Sequence, residues 1–538
     1  MGARSRSPHP NGFIDSYAVP QPWWRSAVFY EIYVRSFADS NDDGIGDLPG
    51  ITSRLDHVRD LGADAVWLTP FYPSPQKDHG YDVADYLDVN PDYGTLEDFD
   101  RLLERAHELR LKVLVDIVPN HTSDQHEWFK AAVAAADSPM RGRYHFADPR
   151  QDGSPPNNWT SSFGGPAWSQ EPSGPQWYLH LFAPEQPDLN WWDPAVPAEF
   201  ERILEFWLDR GADGFRIDVA SALFKRKDLA DRPLVTDRVT GEPRFDSAFA
   251  IVHQPQLHDV YRRWRQIANG YRPDRVLVGE IFEPRRHSRY IVPDQLHMAF
   301  ALIQLPWDAT LWRRSIEVSR RALHGPGSEP TWTLSNHDVI RPVTRLGGGS
   351  VGRARARAAL LLLLGLPGQV FLYQGEELGL EEVDLPDEAR QDPVFVHSQG
   401  RQPGRDGCRV PLPWHRGRPH AGFSTAPPWL PMPAGWDRLA VDAQAGSGES
   451  TLGHFRKALE ARRRLAGRLA DRVDWRDAPT GVLCYSRGPL TVACNFTGRP
   501  VRLGLAGRLV LGSDPLVRLA GGRLSLPPNS AAWLHRFA

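Results

Sequence analysis

The chain has 538 residues, enough for one large α/β domain with insertions and a smaller second domain. Its 63 Lys+Arg against 66 Asp+Glu give a net charge of −3, so no bulk field favours nucleic acid or an anionic membrane. The three Cys, at 408, 484 and 494, form neither a disulfide framework nor a zinc spacing, and Cys484 and Cys494 read as buried thiols in neighbouring strands.

The opening stretch MGARSRSPHPNGFIDSYAVPQPWW lacks an apolar h-region and a small-residue cleavage site. The longest apolar run, AALLLLLGLPG (358–368), is too short to span a bilayer. A soluble cytoplasmic protein with no membrane partner is therefore expected. Strand-like runs follow at 27–34, 65–70, 112–120, 214–220, 275–282, 298–306, 331–336 and 369–374. Between them, LEDFDRLLERAHELR (96–110) is amphipathic, and PAEFERILEFWLDRG (197–211) starts on Pro and stops on Gly. Eight strands alternating with helices predict a (β/α)8 TIM barrel. Residues 121–185, rich in Trp, Pro, Gly and Ser, predict an irregular domain inserted after the third strand, and a long loop spans about 378–435. From 466 onward, runs such as GVLCYSR and LTVACNF predict a C-terminal antiparallel β domain, leaving 1–120 and 186–465 to the barrel.

Acidic residues recur at strand ends, in DIVPNH (116–121), GFRIDVAS (214–221), VGEIF (278–282) and SNHD (335–338). A TIM barrel places its active site at those ends. Arg216 and Asp218 are two apart on one strand and so share a face, where the arginine would keep the carboxylate ionised. Glu280, flanked by apolar Val278 and Ile281, suits a general acid, which must keep its proton near neutral pH. Asp338 with His337 would grip sugar hydroxyls. Two carboxyls flanking one bond, with a third acid nearby, is what retaining glycoside hydrolysis needs.

With these motifs in this order, the chain resembles the α-amylase family of glycoside hydrolases, and within it the oligo-1,6-glucosidase and α-glucosidase group. The likeness runs from PWWRSAVFYEIYVRSFADSNDDGIGDLPGI (22–51) to the C-terminal β domain. It implies a nucleophile at Asp218, an acid/base at Glu280 and a transition-state stabiliser at Asp338. It further implies glucose-holding roles for Asp82 and Tyr81 in HGYDVADY, and for His121, Arg216, His337 and Arg409. QPDLN (186–190) resembles the marker of the α-glucosidase group. RDGCRVPLPW (405–414) departs from the usual RDNARTPMQW, and SNHDVIRPVTR lacks the Gln or Asn that many relatives place beyond the Asp. Trp159, Phe163 and Phe182 are candidates for stacking on sugar faces or for plain packing. Val219 should turn away from Asp218 by strand alternation or, lying at a strand end, border the sugar-accepting side; in the resembling group a branched residue there accompanies tolerance of α-1,6 bonds.

ADSNDDGIGDL (38–48) offers Asp39, Asn41, Asp43 and Asp47 at short spacing, with the carbonyl of Ile45. Such oxygen donors suit Ca²⁺, less readily Mg²⁺, although a twelve-residue EF-hand would place Gly50 where it needs Glu. A solvated acidic turn is the other reading; the resemblance to the metal loop of oligo-1,6-glucosidases favours a structural Ca²⁺. The expected partner is a small oligosaccharide or glucoside, cleaved from its end by an α-glucosidase. A glucosyltransferase or trehalose synthase-type isomerase would use the same intermediate. A non-catalytic transporter-associated relative would lack the acids present here. Sequence leaves the oligomeric state open.

Overall fold

A computed structural model of the chain describes residues 22–172, 174–236, 243–245, 251–281, 283–323 and 328–536. Residues 1–21 of the stretch read for a leader, and Phe282 of VGEIF, lie outside them. Eight parallel strands close into a barrel: β1 (Val28–Ile32), β2 (Ala65–Leu68), β3 (Lys112–Ile117), β4 (Gly214–Ile217), β5 (Val276–Gly279), β6 (Met298–Leu302), β7 (Thr331–Thr333) and β8 (Gln369–Tyr373). Each lies within a run read from sequence. Each is also shorter than that run.

Alternation along the strands decides what enters the barrel. Phe29, Trp67, Leu114, Val276, Val278, Met298 and Phe371 form one interior cluster. Two residues beyond such apolar positions come Glu31, Asp116 and Glu280. The parity that packs the barrel therefore delivers carboxyls to its C-terminal mouth. Register completes the placement, since Asp116 lies opposite Arg216, and Arg216 opposite Val278.

The surrounding helices carry local stop and start signals. Leu48–Leu61 begins where the Asp47 side chain accepts from the Gly50 amide, and ends at Gly62 with φ of 100°. Leu96–Glu108 begins with a capping box between Thr95 and Asp98. The apolar run near 358–368 ends the helix Gly349–Leu364, whose buried leucines sit between barrel and C-terminal sheet. Trp533 and Tyr485 of that sheet donate to the carbonyls of Leu361 and Leu362.

Between β3 and β4 the chain forms a helix, Glu127–Ala134, and a small antiparallel sheet of Phe146–Ala147, Trp168–Gln170 and Trp177–Leu179. Trp159, Trp168, Leu179 and Leu181 make its core. A second excursion, unread in the sequence, follows β4. Its residues pack on the first: Nε1 of Trp159 donates to the Ala230 carbonyl at 3.0 Å, and Asn157 to that of Leu229 at 2.9 Å. The C-terminal region holds a five-stranded and a three-stranded antiparallel sheet between Asp474 and His535. Cys484 and Cys494 lie there as buried free thiols. No helix among the described residues is long and apolar enough to cross a membrane.

Candidate active site

Arg216 is the hub at the mouth of the barrel. Its Nη1 lies 2.6 Å from Asp218 and 3.1 Å from Asp116, and its Nη2 lies 2.7 Å from Glu280. One fully buried guanidinium thus serves three carboxyl groups. Asp116 also accepts from Tyr81 Oη at 2.9 Å and Trp67 Nε1 at 3.1 Å. Burial pushes its carboxyl up to about 7, against the pull of Arg216 and Tyr81. Burial raises Asp218 as well; Arg216 opposes this, while Glu280 and Asp116 add to it. Three acids sharing one cation keep a proton that an isolated carboxylate would have lost.

The chain turns sharply after Asp218. Val219 adopts φ of 44°, a left-handed conformation that a β-branched residue rarely takes. The turn points its amide at Glu280 Oε2, 3.0 Å away, and brings its side chain to the cavity. Of the two readings of Val219, the structure has the one at the cavity: β4 has ended at Ile217, so strand alternation no longer applies.

Across the cavity Asp338 is held by cations. Arg405 Nη1 approaches it at 3.0 Å and Arg409 Nη2 at 2.9 Å. Burial works to raise this carboxyl, but the guanidinia of Arg405 and Arg409 hold it well below the ordinary range. His337 stacks on Tyr81 at 5.2 Å, and its Nδ1 meets Glu31 at 2.6 Å. Burial holds His337 neutral, and likewise lowers His121 to about 4.

Nine of the expected residues line one cavity of about 80 Å³: Tyr81, His121, Phe163, Phe182, Asp218, Val219, Glu280, His337 and Asp338. Two more line it that sequence reasoning missed, Asp78 and Arg405, which pair at 2.6 Å. Arg405 also lies 5.1 Å over the Phe163 ring, and Phe163 meets Phe182 edge to face. Gln186, from QPDLN, bridges Asp78 and His121 at 3.1 Å each.

Asp82 does not face the cavity. Its buried carboxylate accepts from Ser74 Oγ and from the amides of Lys77 and Asp78, shaping the loop that presents Asp78. Gly80 in that loop has φ of 105°, and a Cβ there would lie 2.7 Å from the Pro70 carbonyl. Arg409 also sits behind the cavity wall, bonded to Asp338 and the His337 carbonyl, while Arg405 takes the exposed place. Trp159 is core, not a stacking platform.

The 39–47 loop offers only oxygen donors, as a hard cation requires. Asp39 accepts from the amides of Asn41, Asp42 and Gly44, and Asp43 from that of Ile45. Asp47 is drawn away from the set: one oxygen caps the helix at Gly50 and the other accepts from Ser40. Among the described residues no three His, Cys, Asp or Glu side chains gather as a metal cage. The fit therefore rests on Asp39 and Asp43 with the Asn41 amide and the Ile45 carbonyl.

A TIM barrel with three carboxyls around a cavity at its C-terminal mouth fits a glycoside hydrolase. The α-amylase catalytic-domain model matches residues 31–467, and the chain belongs to that family, in its glucosidase group. It is 41% identical over 494 residues to a probable α-glucosidase of Rhizobium meliloti (strain 1021), covering 88% of this chain and 89% of that one. A solved α-glucosyl transfer enzyme superposes with a TM-score of 0.88 at 39% identity, covering 96% of this chain and all of the other. The trehalulose synthase of Pseudomonas mesoacidophila MX-45 follows at 0.84 and 31%, over 96% of this chain and 99% of its own.

Proposed function

We propose that the protein is a retaining, exo-acting α-glucosidase that removes terminal glucose from short α-linked oligosaccharides. Asp218 attacks the anomeric carbon and forms a glucosyl ester, while Glu280 protonates the departing oxygen. Glu280 then deprotonates the water that cleaves the ester, and Asp338 stabilises the oxocarbenium-like transition state. The observation that carries this is the shared arginine. Two terminal nitrogens of Arg216 hold Asp218 and Glu280 to one guanidinium, which favours the close pairing of a retaining enzyme, about 5–5.5 Å, over the wider inverting one. The exo reading rests on the far wall, where Asp78, His121, Gln186 and Arg405 interlock.

The likeness to an α-glucosyl transfer enzyme favours a second reading, in which the glucosyl ester passes to an acceptor sugar. Products from maltose, isomaltose, trehalose, sucrose and an aryl α-glucoside, followed by NMR, separate the two. Hydrolysis with retained anomeric configuration and α-1,6 cleavage alongside some α-1,4 is the expected result. Dominant transfer or isomerised products overturn the hydrolase, and long oligosaccharides released from starch with little glucose overturn the exo reading. A structural Ca²⁺, held by Asp39, Asn41, Asp43 and the Ile45 carbonyl, is part of the same proposal. It would brace a loop away from the reacting carboxyls, so chelation should lower Tm before it lowers initial rate.

A further inference from the structure

Glu31, at the end of β1, is fully buried and plays no part in the scheme above. Its Oε1 lies 2.6 Å from Nδ1 of His337 and 3.3 Å from the same residue's backbone nitrogen. The opposite ring nitrogen, Nε2, lies 3.5 Å from Asp338 Oδ1, on the ring that borders the sugar cavity. We propose that Glu31 is a positioning residue that donates its carboxyl hydrogen to Nδ1 of His337, fixing the tautomer that presents an N–H to the sugar. The inference deepens the glucosidase reading and rests on it.

A neutral imidazole carries one hydrogen, and the nitrogen lacking it is an acceptor. Asp338, clamped by Arg405 and Arg409, is a carboxylate. A lone pair on Nε2 facing that carboxylate would be repulsive, so the hydrogen belongs on Nε2. Nδ1 is then an acceptor. At 2.6 Å its partner must be a donor, which a carboxyl is only when protonated. The ring cannot exchange its two nitrogens freely, because it is sandwiched between Tyr33 at 5.6 Å and Tyr81 at 5.2 Å.

The surroundings of Glu31 agree. It borders a second cavity, about 210 Å³, with Trp67, Phe300, Thr333 and Phe371. Its one ion-pairing partner among the described residues is His337. Burial raises the Glu31 carboxyl well above the ordinary range; Arg216 on β4 pulls it down, while Asp338 beyond β7 and Asp116 on β3 push it further up. The guanidinium of Arg216 is already engaged by Asp116, Asp218 and Glu280. The same burial keeps His337 from taking a second proton.

The test compares Glu31→Gln with Glu31→Leu in the full-length enzyme, on whichever glucoside the wild type turns over. An amide still donates to Nδ1, so Glu31→Gln should keep kcat/KM within about tenfold of wild type. Leu removes the donor and frees the tautomer, which should cost about 100-fold or more, the order expected when an orienting partner is lost. In a His337→Ala background the further penalty of Leu should vanish. A Glu31→Gln loss as deep as that of Leu would show that an ionised carboxylate is required, and would overturn the inference. So would a Leu penalty that persists without His337. Because every variant is read against wild type, a failed glucosidase reading appears in the wild-type products and not in these ratios.

Discussion

At the ends of β4 and β5 one guanidinium serves three carboxyl groups; beyond β7 two guanidinia serve one. The Arg216 cluster is buried and the Asp338 cluster half-buried, and both border the same cavity. Excess acid makes protons hard to lose, so the Arg216 side suits chemistry in which a proton and a nucleophile change hands. Excess cation makes a carboxylate permanent, so the Asp338 side suits fixed charge facing a cationic transition state. Burial opposes ionisation at both places, and the local count of partners decides the sign.

The two clusters should differ most at Asp218. If its carboxylate forms the covalent intermediate, Asp218→Ala should lower kcat by about 10⁴-fold or more on every substrate. Steady-state rates on disaccharide and aryl glucoside check this, and a loss below tenfold on either would remove the covalent role. Glu280 should behave differently because its contribution depends on the leaving group. Glu280→Gln is expected to lose about 10²- to 10⁴-fold on isomaltose and far less in the bond-breaking step of a 4-nitrophenyl glucoside, whose departing oxygen needs little protonation. Equal losses on both would count against it as the acid.

Stability against pH should show the two clusters with opposite signs. Asp116 has a folded value of about 7, above the roughly 4 of an unfolded carboxyl, so its contribution is present below about 4 and is lost as pH rises through about 7. Asp338 is depressed when folded, so its contribution is present above about 4 and is lost as pH falls below that. Asp116→Asn should therefore flatten the fall of Tm between about pH 4 and 7, and Asp338→Asn the fall on the acid side. Calorimetry across pH reads both slopes. Matching slopes in the two variants would show that shared burial, not partner count, sets these carboxyls.

Much of this arrangement is legible in the sequence because strand parity is legible. The residues that continue the inward rows of β1, β3, β4 and β5 are Glu31, Asp116, Asp218 and Glu280, and the last two are recognisable as chemistry from their strand-end motifs. Legibility stops where the backbone leaves the strand. In the loop before Tyr81, Gln76, His79 and Gly80 all take positive φ, so nothing in the spacing tells Asp78, which faces the cavity, from Asp82, which holds the loop. Arg405 and Arg409 are one helical turn apart and both reach Asp338; the family likeness points to Arg409 alone, and nothing in the spacing shows that Arg405 is the one facing the cavity. Glu31 gave no signal because its partner is 306 residues away. The excursion after β4 lacks apolar periodicity, and its packing on Trp159 and Asn157 is visible only in three dimensions.

The smallest expected effect lies at the junction of the two clusters, where Val219 joins the Arg216 side to the open part of the cavity. Its φ of 44° is strained for any β-branched residue, so a substitution that changes branching would alter backbone and pocket together. Val219→Thr avoids this: Thr has the same shape and branching, so the turn and the amide bond to Glu280 should persist. Only one methyl becomes a hydroxyl. A single such group at a pocket wall is worth about 1–3 kcal/mol of discrimination, enough to bias linkage and too little to forbid it. The ratio of kcat/KM for maltose over isomaltose should rise by up to about tenfold, with little change in Tm. Val219→Gly, which relieves the strain and opens the wall, should raise activity on both linkages without that bias. If Thr leaves the ratio where it was, linkage is read elsewhere, and the departure from the family pattern in RDGCRVPLPW, on the Arg405 side, becomes the place to mutate next.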